Sequence, residues 1–470
     1  MIYIVKGLLY GDEGKGSIVD YLTLGGGEIV KEGGPQAAHH VVNTDGMLHR
    51  SEQMGSGIFN KGVKTFCSKN MFVFPQNLIR ENLKLNEANV YDGMTRMLID
   101  SRCPVVTPLH QMIGRLTEIS RGKNKRGSTG MGVGQAVRDK LANKNTVITM
   151  EDVYNSPILE DKLLRLYAEK IELSESIVEN NPNNKELLEM YKYYVSFHPK
   201  HILNSYNSFT KGYPNIIMYN GDNHLEEIVK SNNNIVFEGS QGALLDPHFG
   251  FKPYVSPVKN TFDMSEELIS NKVSKSNIKR MGVLRAYSTR HGAGPFVTYD
   301  KYLTNLIPDK YNATNTWQGV FKIGWFDLLA VRYGLAVNNA DSIAITNLDR
   351  LSELNNINVC TSYIYSGKDE EALDKYFEWD TYEQIYRITG IKNPNKPTDN
   401  AISKVLLKCE PLSLKRFPGW RTPIHNTKRM ENLPNEAINY IKFLQSEDGF
   451  NVPISIISVG ETSKNKILIQ

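Results

Sequence analysis

The residues best suited to chemistry stand near the amino terminus. A glycine-punctuated turn, Gly11-Asp12-Glu13-Gly14-Lys15-Gly16-Ser17, carries the carboxylate of Asp12 beside the amine of Lys15. Bare N–H groups in such a turn, leading into a helix N-terminus, hold phosphate oxygens, and the lysine adds a positive charge. The turn is not a Walker A box, because a Gly14-Lys15 pair would need glycine at position 9, where Leu9 stands. A second loop, Gly33-Gly34-Pro35-Gln36-Ala37-Ala38-His39-His40, supplies an imidazole suited to moving a proton near pH 7. A histidine pair after a tight turn can also cap a helix. At a strand-to-loop junction, however, His39 is expected to point into the same cleft as Asp12. Phosphate binding plus an acid–base couple is the chemistry these residues allow.

Four further patches could meet them along one sheet edge. Gly127-Ser128-Thr129-Gly130-Met131-Gly132-Val133-Gly134-Gln135-Ala136 offers two hydroxyls and bare backbone donors, suited to a phosphate monoester. Phe237-Glu238-Gly239-Ser240-Gln241-Gly242 offers Gln241, whose amide can donate to and accept from a purine edge. Gly282 to Thr298 reads as another strand with a Gly-x-Gly turn. After the strand at Ile343, Thr346-Asn347-Leu348-Asp349 places an aspartate that could accept from the N1–H and 2-amino group of a guanine, or cap the next helix.

The elements that must position these loops read as α/β. Apolar runs at Ile2–Val5, Ile235–Phe237, Ile343–Ile345 and a last strand at Ile454–Val459 alternate with loops and helical patterns. From about Leu159 to Ile228, Leu163, Leu166, Leu187, Tyr191 and Tyr194 recur at helical spacing, interrupted at Asn181–Asn184, which predicts a helical insertion capping the sheet. Its aromatic stripe is expected to pack rather than bind ligand. The segment Asp369 to Leu414 is charged and uneven, with no clear pattern. Over 470 residues, 40% hydrophobic, Lys+Arg 55 against Asp+Glu 51 leave +4, too little for a surface that coats nucleic acid. Cys67, Cys103, Cys360 and Cys409 lack C-x-x-C spacing and read as reduced thiols. No run of 18 apolar residues occurs, and Met1 leads straight into a strand, so neither a membrane span nor a signal peptide is expected.

Taken in order, GDEGKG, GG-x-x-A-x-H, STG-x-G-x-G, FEG-x-QG-x-LLD, RAYSTR-x-GAGPF, GWFD and LD resemble the adenylosuccinate synthetase family over nearly the whole chain. The resemblance implies one catalytic domain over residues 1–470, P-loop-NTPase-like, with a central, mostly parallel twisted sheet flanked by helices. It implies a C–N ligase: a nucleoside triphosphate phosphorylates O6 of a purine nucleoside monophosphate, and the amine of L-aspartate displaces that phosphate. It further implies Mg²⁺, a cytoplasmic location and a homodimer whose partner completes the site. Asp12 would take the N1 proton, His39 would act as general acid at O6, and Lys15 would hold the transferring phosphate. Asp12 and the Ala38 carbonyl would ligate Mg²⁺. The triphosphate would meet Gly11, Glu13, Gly14, Lys15, Gly16 and Ser17, then Asn347, Leu348 and Asp349, and finally Ser458, Val459 and Gly460. The purine nucleotide would meet Asp12, Gln36, Ala37, Ser128, Thr129, Gln241, Ser256 and the backbone near Val283. L-Aspartate would meet Asn315, Thr316, Trp317, Gln318 and Gly319.

The departures from the family pattern narrow the expectation. Pro35, Gln36, Ala38 and His40 alter GGHNAGHT, Gln135 replaces a proline, and Ser17 replaces a second lysine. Both arginines of the aspartate loop are gone, replaced by Gly319 and Phe321. Asn347 replaces the lysine of the guanine-specificity turn. An arginine supplied by the partner would fall at or near Asn143, beside Lys144. Together with Ser51-Glu52-Gln53-Met54-Gly55-Ser56-Gly57, these changes look like the phage branch of the family, which aminates dGMP with ATP or dATP toward 2-aminoadenine (diaminopurine) DNA, in the host cytoplasm. The retained Asp12 and Asp349 fit the ordinary reaction of IMP with GTP. A nucleotide-sensing switch without turnover would need no Asp12–His39 couple. The lost arginine at Gly319 fits a sugar without a 2′-OH, an inference that an arginine arriving from elsewhere, such as Arg285 or Arg290, would remove.

Overall fold

The computed structural model describes residues 1–231, 233–312 and 314–469. Its core is a ten-stranded sheet, in spatial order Lys466–Leu468, Ile454–Ser458, Ser342–Thr346, Ile278–Arg285, Ile2–Gly7, Ile235–Gly242, Glu28–Gly33, Lys64–Met71, Met97–Asp100 and Ile217–Met218. Every neighbouring pair is parallel except Lys466–Leu468, which runs against Ile454–Ser458. The expected α/β class with a mostly parallel sheet is therefore the observed one.

Parallel strands covered on both faces read as continuous apolar runs, and the central strand shows why. Ile2 and Ile4 pack with Ile235 and Phe237 on one face. Val5 packs on the other with Val236, Met281 and the helix residues Ile18 and Val19. The strand ends where Gly7 gives way to the glycine turn. A helix, Lys15–Leu22, then starts on Gly14, whose φ of 85° lies in the left-handed region that an L side chain resists. In parallel sheets ligands sit beyond the carboxyl ends of the strands, near the point where strand order reverses. Here the ends of the Ile2–Gly7, Glu28–Gly33, Ile235–Gly242, Ser342–Thr346 and Ile454–Ser458 strands all carry expected site loops.

Two expectations need correction, and a segment without a pattern finds its place. Ile454–Ser458 is not the last strand, because the chain turns back through Ser463–Asn465 into Lys466–Leu468. The stretch from Leu159 to Ile228 holds the helices Ser156–Glu179, Lys185–Val195, Lys200–Gly212 and Gly221–Lys230, but also the strand Ile217–Met218, which pairs with Met97–Asp100 and extends the sheet. Two apolar residues are too short a run for any periodicity to register. Leu163, Leu166 and Tyr206 bury in a core shared with Ile99 and Cys103, while Leu187 packs with Tyr191 and Tyr194 against the Pro108–Ser120 helix. The uneven segment Asp369 to Leu414 forms much of a second, five-stranded sheet: Phe377–Tyr382, Ile385–Ile391 and Cys409–Pro418 assemble around Asn356–Tyr365, with Phe326–Asp327 at one edge. The exposed face of Cys409–Pro418 is charged, which hides the strand pattern. All four cysteines are buried and unpaired. No helix among the described residues is long and apolar enough to cross a membrane.

Candidate functional site

Glu13 organises the first turn from within. Its Oε1 accepts from the N–H groups of Leu9 (3.0 Å) and Gly11 (2.9 Å), and its Oε2 pairs with Lys15 Nζ at 2.9 Å. The sequence reading placed Glu13 on the triphosphate, but its carboxylate is committed to the turn's own backbone and to the lysine. Ser17 returns both its N–H and its hydroxyl to the Gly14 carbonyl, at 3.2 and 3.1 Å. Asp12 has a left-handed φ of 56°, and its carbonyl accepts from Arg285 Nε at 2.6 Å. Burial pushes the Asp12 carboxyl above its ordinary range, with the charges of Arg285, Lys15 and His291 opposing the shift.

The other expected triphosphate residues gather beside this turn. Thr346 Oγ1 donates to the Glu13 carbonyl at 2.5 Å, which brings Asn347, Leu348 and Asp349 alongside. Asn347 opens the short Leu348–Leu351 turn at a φ of 57°. No side chain caps that turn, so the capping reading of Asp349 is not realised. Ser458 Oγ donates to the Gly460 carbonyl at 2.9 Å, and Lys466 Nζ to the same carbonyl at 3.1 Å. Burial lowers Lys466 to about 8 against the pull of Asp20 and Asp349.

His39 begins a strand, His39–Val42, that lies against the start of the Lys15–Leu22 helix. A Cβ added at Gly16 would stand 2.8 Å from His39 Cβ and 3.1 Å from Ser56 Oγ. The glycine turn and the His39 strand therefore approach this closely only because residue 16 has no side chain. Gly16→Ala is expected to destabilise the fold by about 1–3 kcal/mol and to lower turnover by up to about 100-fold through displacement of His39. Denaturant unfolding and steady-state rates read the two effects; an unchanged rate would remove the contact from the argument.

The imidazole is held by a residue that the sequence reading passed over. His39 Nδ1 bonds Glu238, whose carboxylate also accepts from the Ser56 N–H (3.0 Å) and hydroxyl (2.5 Å) and pairs with Lys31 Nζ at 3.3 Å. A carboxylate only accepts here, so Nδ1 carries the hydrogen and Nε2 presents the lone pair. That Nε2 is buried and has no protein partner. Burial holds the His39 pKa below its usual value despite the opposing pull of Glu238, so the resting ring is neutral. Its role as an acid must follow from negative charge arriving near Nε2. An ionisable residue inside the apolar strand Ile235–Gly242 was the available sequence signal for Glu238.

Asp12 and His39 open onto one cavity of about 710 Å³, a size usual for small-molecule sites. Its wall also includes Gln36, Ala37 and Ala38 from the second loop, Ser128 and Thr129 from the third, and Gln241 and Ser256. Of these, Gln36 joins His39 and the neighbouring Ser240 in burying side-chain polar atoms without protein partners. Such atoms on a cavity wall call for a polar ligand. Val283 stands elsewhere: it is fully buried within the sheet, its carbonyl accepting from Leu8 N–H at 3.3 Å. Asp12 and Ala38 both line the cavity, and a carboxylate with a backbone carbonyl is an oxygen donor set of the kind Mg²⁺ takes, its shell completed by water and phosphate oxygens.

The expected aspartate loop is a closed turn. Asn315 and Gly319 exchange N–H···O bonds of 3.1 and 2.9 Å, and Asn315 Oδ1 accepts from the N–H groups of Trp317 (3.0 Å) and Gln318 (2.7 Å). Asn315 and Gln318 line the cavity. Thr316 is exposed and off the cavity wall. Trp317 packs instead on Gly130, where an added Cβ would stand 2.9 Å from the indole, and beneath Arg115, 5.3 Å from the ring centroid. The space around Phe321 is not left without a cation. Arg285 reaches it from the sheet, 5.5 Å from the ring centroid, tied to Asp309 at 2.7 Å. Gly319 itself has nothing within 4 Å of an added Cβ among the described residues, so Arg285 does not take the place of the arginine lost there. Arg290 is committed to the Ala293 and Pro295 carbonyls.

A mostly parallel sheet whose carboxyl edge carries a glycine-rich turn, with a carboxylate and an oriented imidazole facing one polar cavity, has the make-up of an α/β enzyme. The adenylosuccinate synthetase family model matches residues 4–467. The adenylosuccinate synthetase of Prochlorococcus marinus subsp. pastoris is 31% identical over 475 residues, covering 99% of this chain and 96% of that protein. The chain belongs to the adenylosuccinate synthetase family and is an NTP-dependent C–N ligase. Among solved structures, fully ligated adenylosuccinate synthetase from Plasmodium falciparum superposes with a TM-score of 0.79 at 21% identity, covering 100% of this chain and 99% of that one. The cyanophage S-2L succinoaminodeoxyadenylate synthetase, bound to dGMP and dATP as an energy donor, superposes at 0.54 and 14% identity, covering 99% and 95%. At these identities both structures speak for the fold alone.

Proposed function

We propose that this chain joins the amine of L-aspartate to C6 of a 6-oxopurine nucleoside monophosphate at the expense of a nucleoside triphosphate. One observation carries the reading: Asp12 and His39, from separate loops, face the same cavity, with the imidazole held by Glu238. O6 of a lactam is a poor nucleophile until N1 loses its proton, and a carboxylate with a raised pKa is a stronger base for that proton. Asp12 takes it, and His39, protonated at Nε2 as the negative charge of the substrates arrives, donates to O6 and the phosphoryl oxygens. Lys15 and the N–H groups of the Gly14–Ser17 turn steer the transferring phosphate. Mg²⁺, held by Asp12 and the Ala38 carbonyl, would supply charge neutralisation at the phosphate oxygens.

The first reading of the substrates is IMP with GTP. The curated relatives carry the name adenylosuccinate synthetase, and Asp12 and Asp349 are the carboxylates this reaction uses. Asp349 follows Asn347 in the turn after Ser342–Thr346, and an aspartate there is the acceptor this reading needs for a guanine edge. A second reading, dGMP with ATP or dATP toward 2-aminoadenine, is favoured by a specific observation: the Asn315–Gly319 turn carries no arginine, and Asn347 stands in place of the guanine-turn lysine. The cyanophage structure described above holds dGMP and dATP. The deciding experiment offers IMP and dGMP in parallel with L-aspartate, Mg²⁺ and either GTP or ATP, and follows the succinyl product by absorbance and mass. Faster turnover of IMP with GTP is expected under the first reading; faster turnover of dGMP with ATP establishes the second. Absence of succinyl product from every combination would sink both.

A further inference from the structure

The cavity wall beside Ser128 and Thr129 includes three arginines, Arg121, Arg126 and Arg138. One carboxylate lies among them, and it pairs with a single guanidinium. Glu118, fully buried, pairs with Arg121 and accepts from the N–H groups of Arg126 (2.7 Å) and Gly127 (2.8 Å), which sets the loop that carries Ser128. Among the described residues, neither Arg126 nor Arg138 has a carboxylate within ion-pair distance. Arg138 Nε donates to the Gly134 carbonyl at 3.2 Å, within its own helix, Val133–Leu141. The neighbouring Asp139 is engaged elsewhere, with Lys170 at 2.6 Å, His110 at 3.2 Å and Lys144 at 3.3 Å. The crowding is felt: burial, then the charges of Arg121 and Arg126, lower the Arg138 pKa.

Like charges gathered on a cavity wall without counter-charges are arranged for an anion. The excess over Glu118 matches a phosphate monoester, which carries roughly −1.5 to −2 near pH 7. Guanidinium forks suit phosphate oxygens in paired hydrogen bonds. The residue that sequence comparison would assign to this task from a partner subunit is Asn143, which has no charge. Its neighbour Lys144 is held by Asp139 and Glu169.

We infer that Arg138, with Arg126 and Arg121, forms a clamp within the same chain for the 5′-phosphate of the nucleoside monophosphate, so that phosphate recognition does not depend on a cation from a second subunit. This rests on the proposed reaction for the identity of the monophosphate, but not on which base it carries. Arg138 is exposed and caps no buried charge, so its replacement leaves the fold intact, which thermal melting checks.

The test measures dissociation constants by calorimetry for two pairs, dGMP against deoxyguanosine and IMP against inosine, on the full-length chain. Wild type is expected to prefer each monophosphate it binds over the matching nucleoside. Arg138→Gln should weaken monophosphate binding by about 10- to 100-fold, the range of a charged hydrogen bond, and leave nucleoside binding unchanged. Arg138→Lys should restore part of the loss. In steady state the Arg138→Gln defect should fall on the KM for the monophosphate and not on that for the triphosphate. A preference for monophosphate that survives in Arg138→Gln, or its absence from wild type with both bases, overturns the clamp. Turnover of IMP faster than dGMP, or the reverse, decides the substrate reading and leaves this one standing.

Discussion

Asp12→Asn is expected to lower the rate of succinyl-purine formation by about 10²- to 10⁴-fold, the usual contribution of a positioned acid or base. Asparagine keeps the shape and one acceptor but cannot take the N1 proton. The pH profile provides a second reading of the same group. Burial raises the Asp12 pKa, so the base is lost to protonation at a higher pH than an ordinary carboxylate would be. Titration of the metal-free protein should accordingly place the Asp12 carboxyl above the normal aspartate range, Mg²⁺ should lower it, and both signals should be absent from Asp12→Asn. Stability should move the other way. A carboxyl whose folded pKa is raised contributes stability below its unfolded pKa, and that contribution is lost as pH rises through the folded pKa. Above its folded pKa, ionising Asp12 costs stability, so at alkaline pH the asparagine variant should be at least as stable as wild type to denaturant. A folded Asp12→Asn variant with wild-type rates would remove Asp12 from the role of base.

Glu238→Gln should damage both rate and stability, and the two can be separated. Burial alone would raise the Glu238 pKa, but the Lys31 charge and the hydrogen bonds from His39 and Ser56 outweigh it and hold the carboxylate well below its ordinary range. Glutamine leaves Lys31, only 3% exposed, without its counter-charge. Breaking a buried pair this way costs about 3–5 kcal/mol. The folded pKa is depressed, so the stabilisation is present above the unfolded carboxylate value and fades as pH falls through the folded one. The stability gap between variant and wild type should therefore shrink under acid conditions. Turnover should fall by about 10²-fold or more, because the His39 tautomer and ring orientation are no longer set. Lys31→Met in the Glu238→Gln background removes the stranded charge and should recover most of the stability. It should not recover the rate, since His39 still lacks its partner. Full recovery of turnover in the double variant would reduce Glu238 to a structural role.

How much of this was legible beforehand differs from element to element. The turn Gly11–Ser17 announced phosphate binding because its properties are local: bare N–H groups, a lysine and a helix start lie within one short stretch. Central strands were equally plain, since burial on both faces leaves continuous apolar runs such as Ile2–Val5. Ile217–Met218 and the second sheet were not legible. The first is too short for a period, and Cys409–Pro418 presents charge on a face that faces solvent. Within the site, the sequence did not show that the Glu13 carboxylate holds its own turn and Lys15, because nothing in the spelling of a loop tells which carboxylate turns inward.

Sequence by itself determined the family, the α/β class and the loops that carry Asp12, Lys15 and His39, because each is written in neighbouring residues with definite backbone demands. Tertiary structure alone decided which distant groups meet: Glu238 on His39, Arg285 beside Phe321, and Arg138 with Arg121 and Arg126 on one cavity wall. Those meetings depend on strand order and on charge brought together from separate elements, and the free energy of a contact between distant residues leaves no local trace in the order of amino acids.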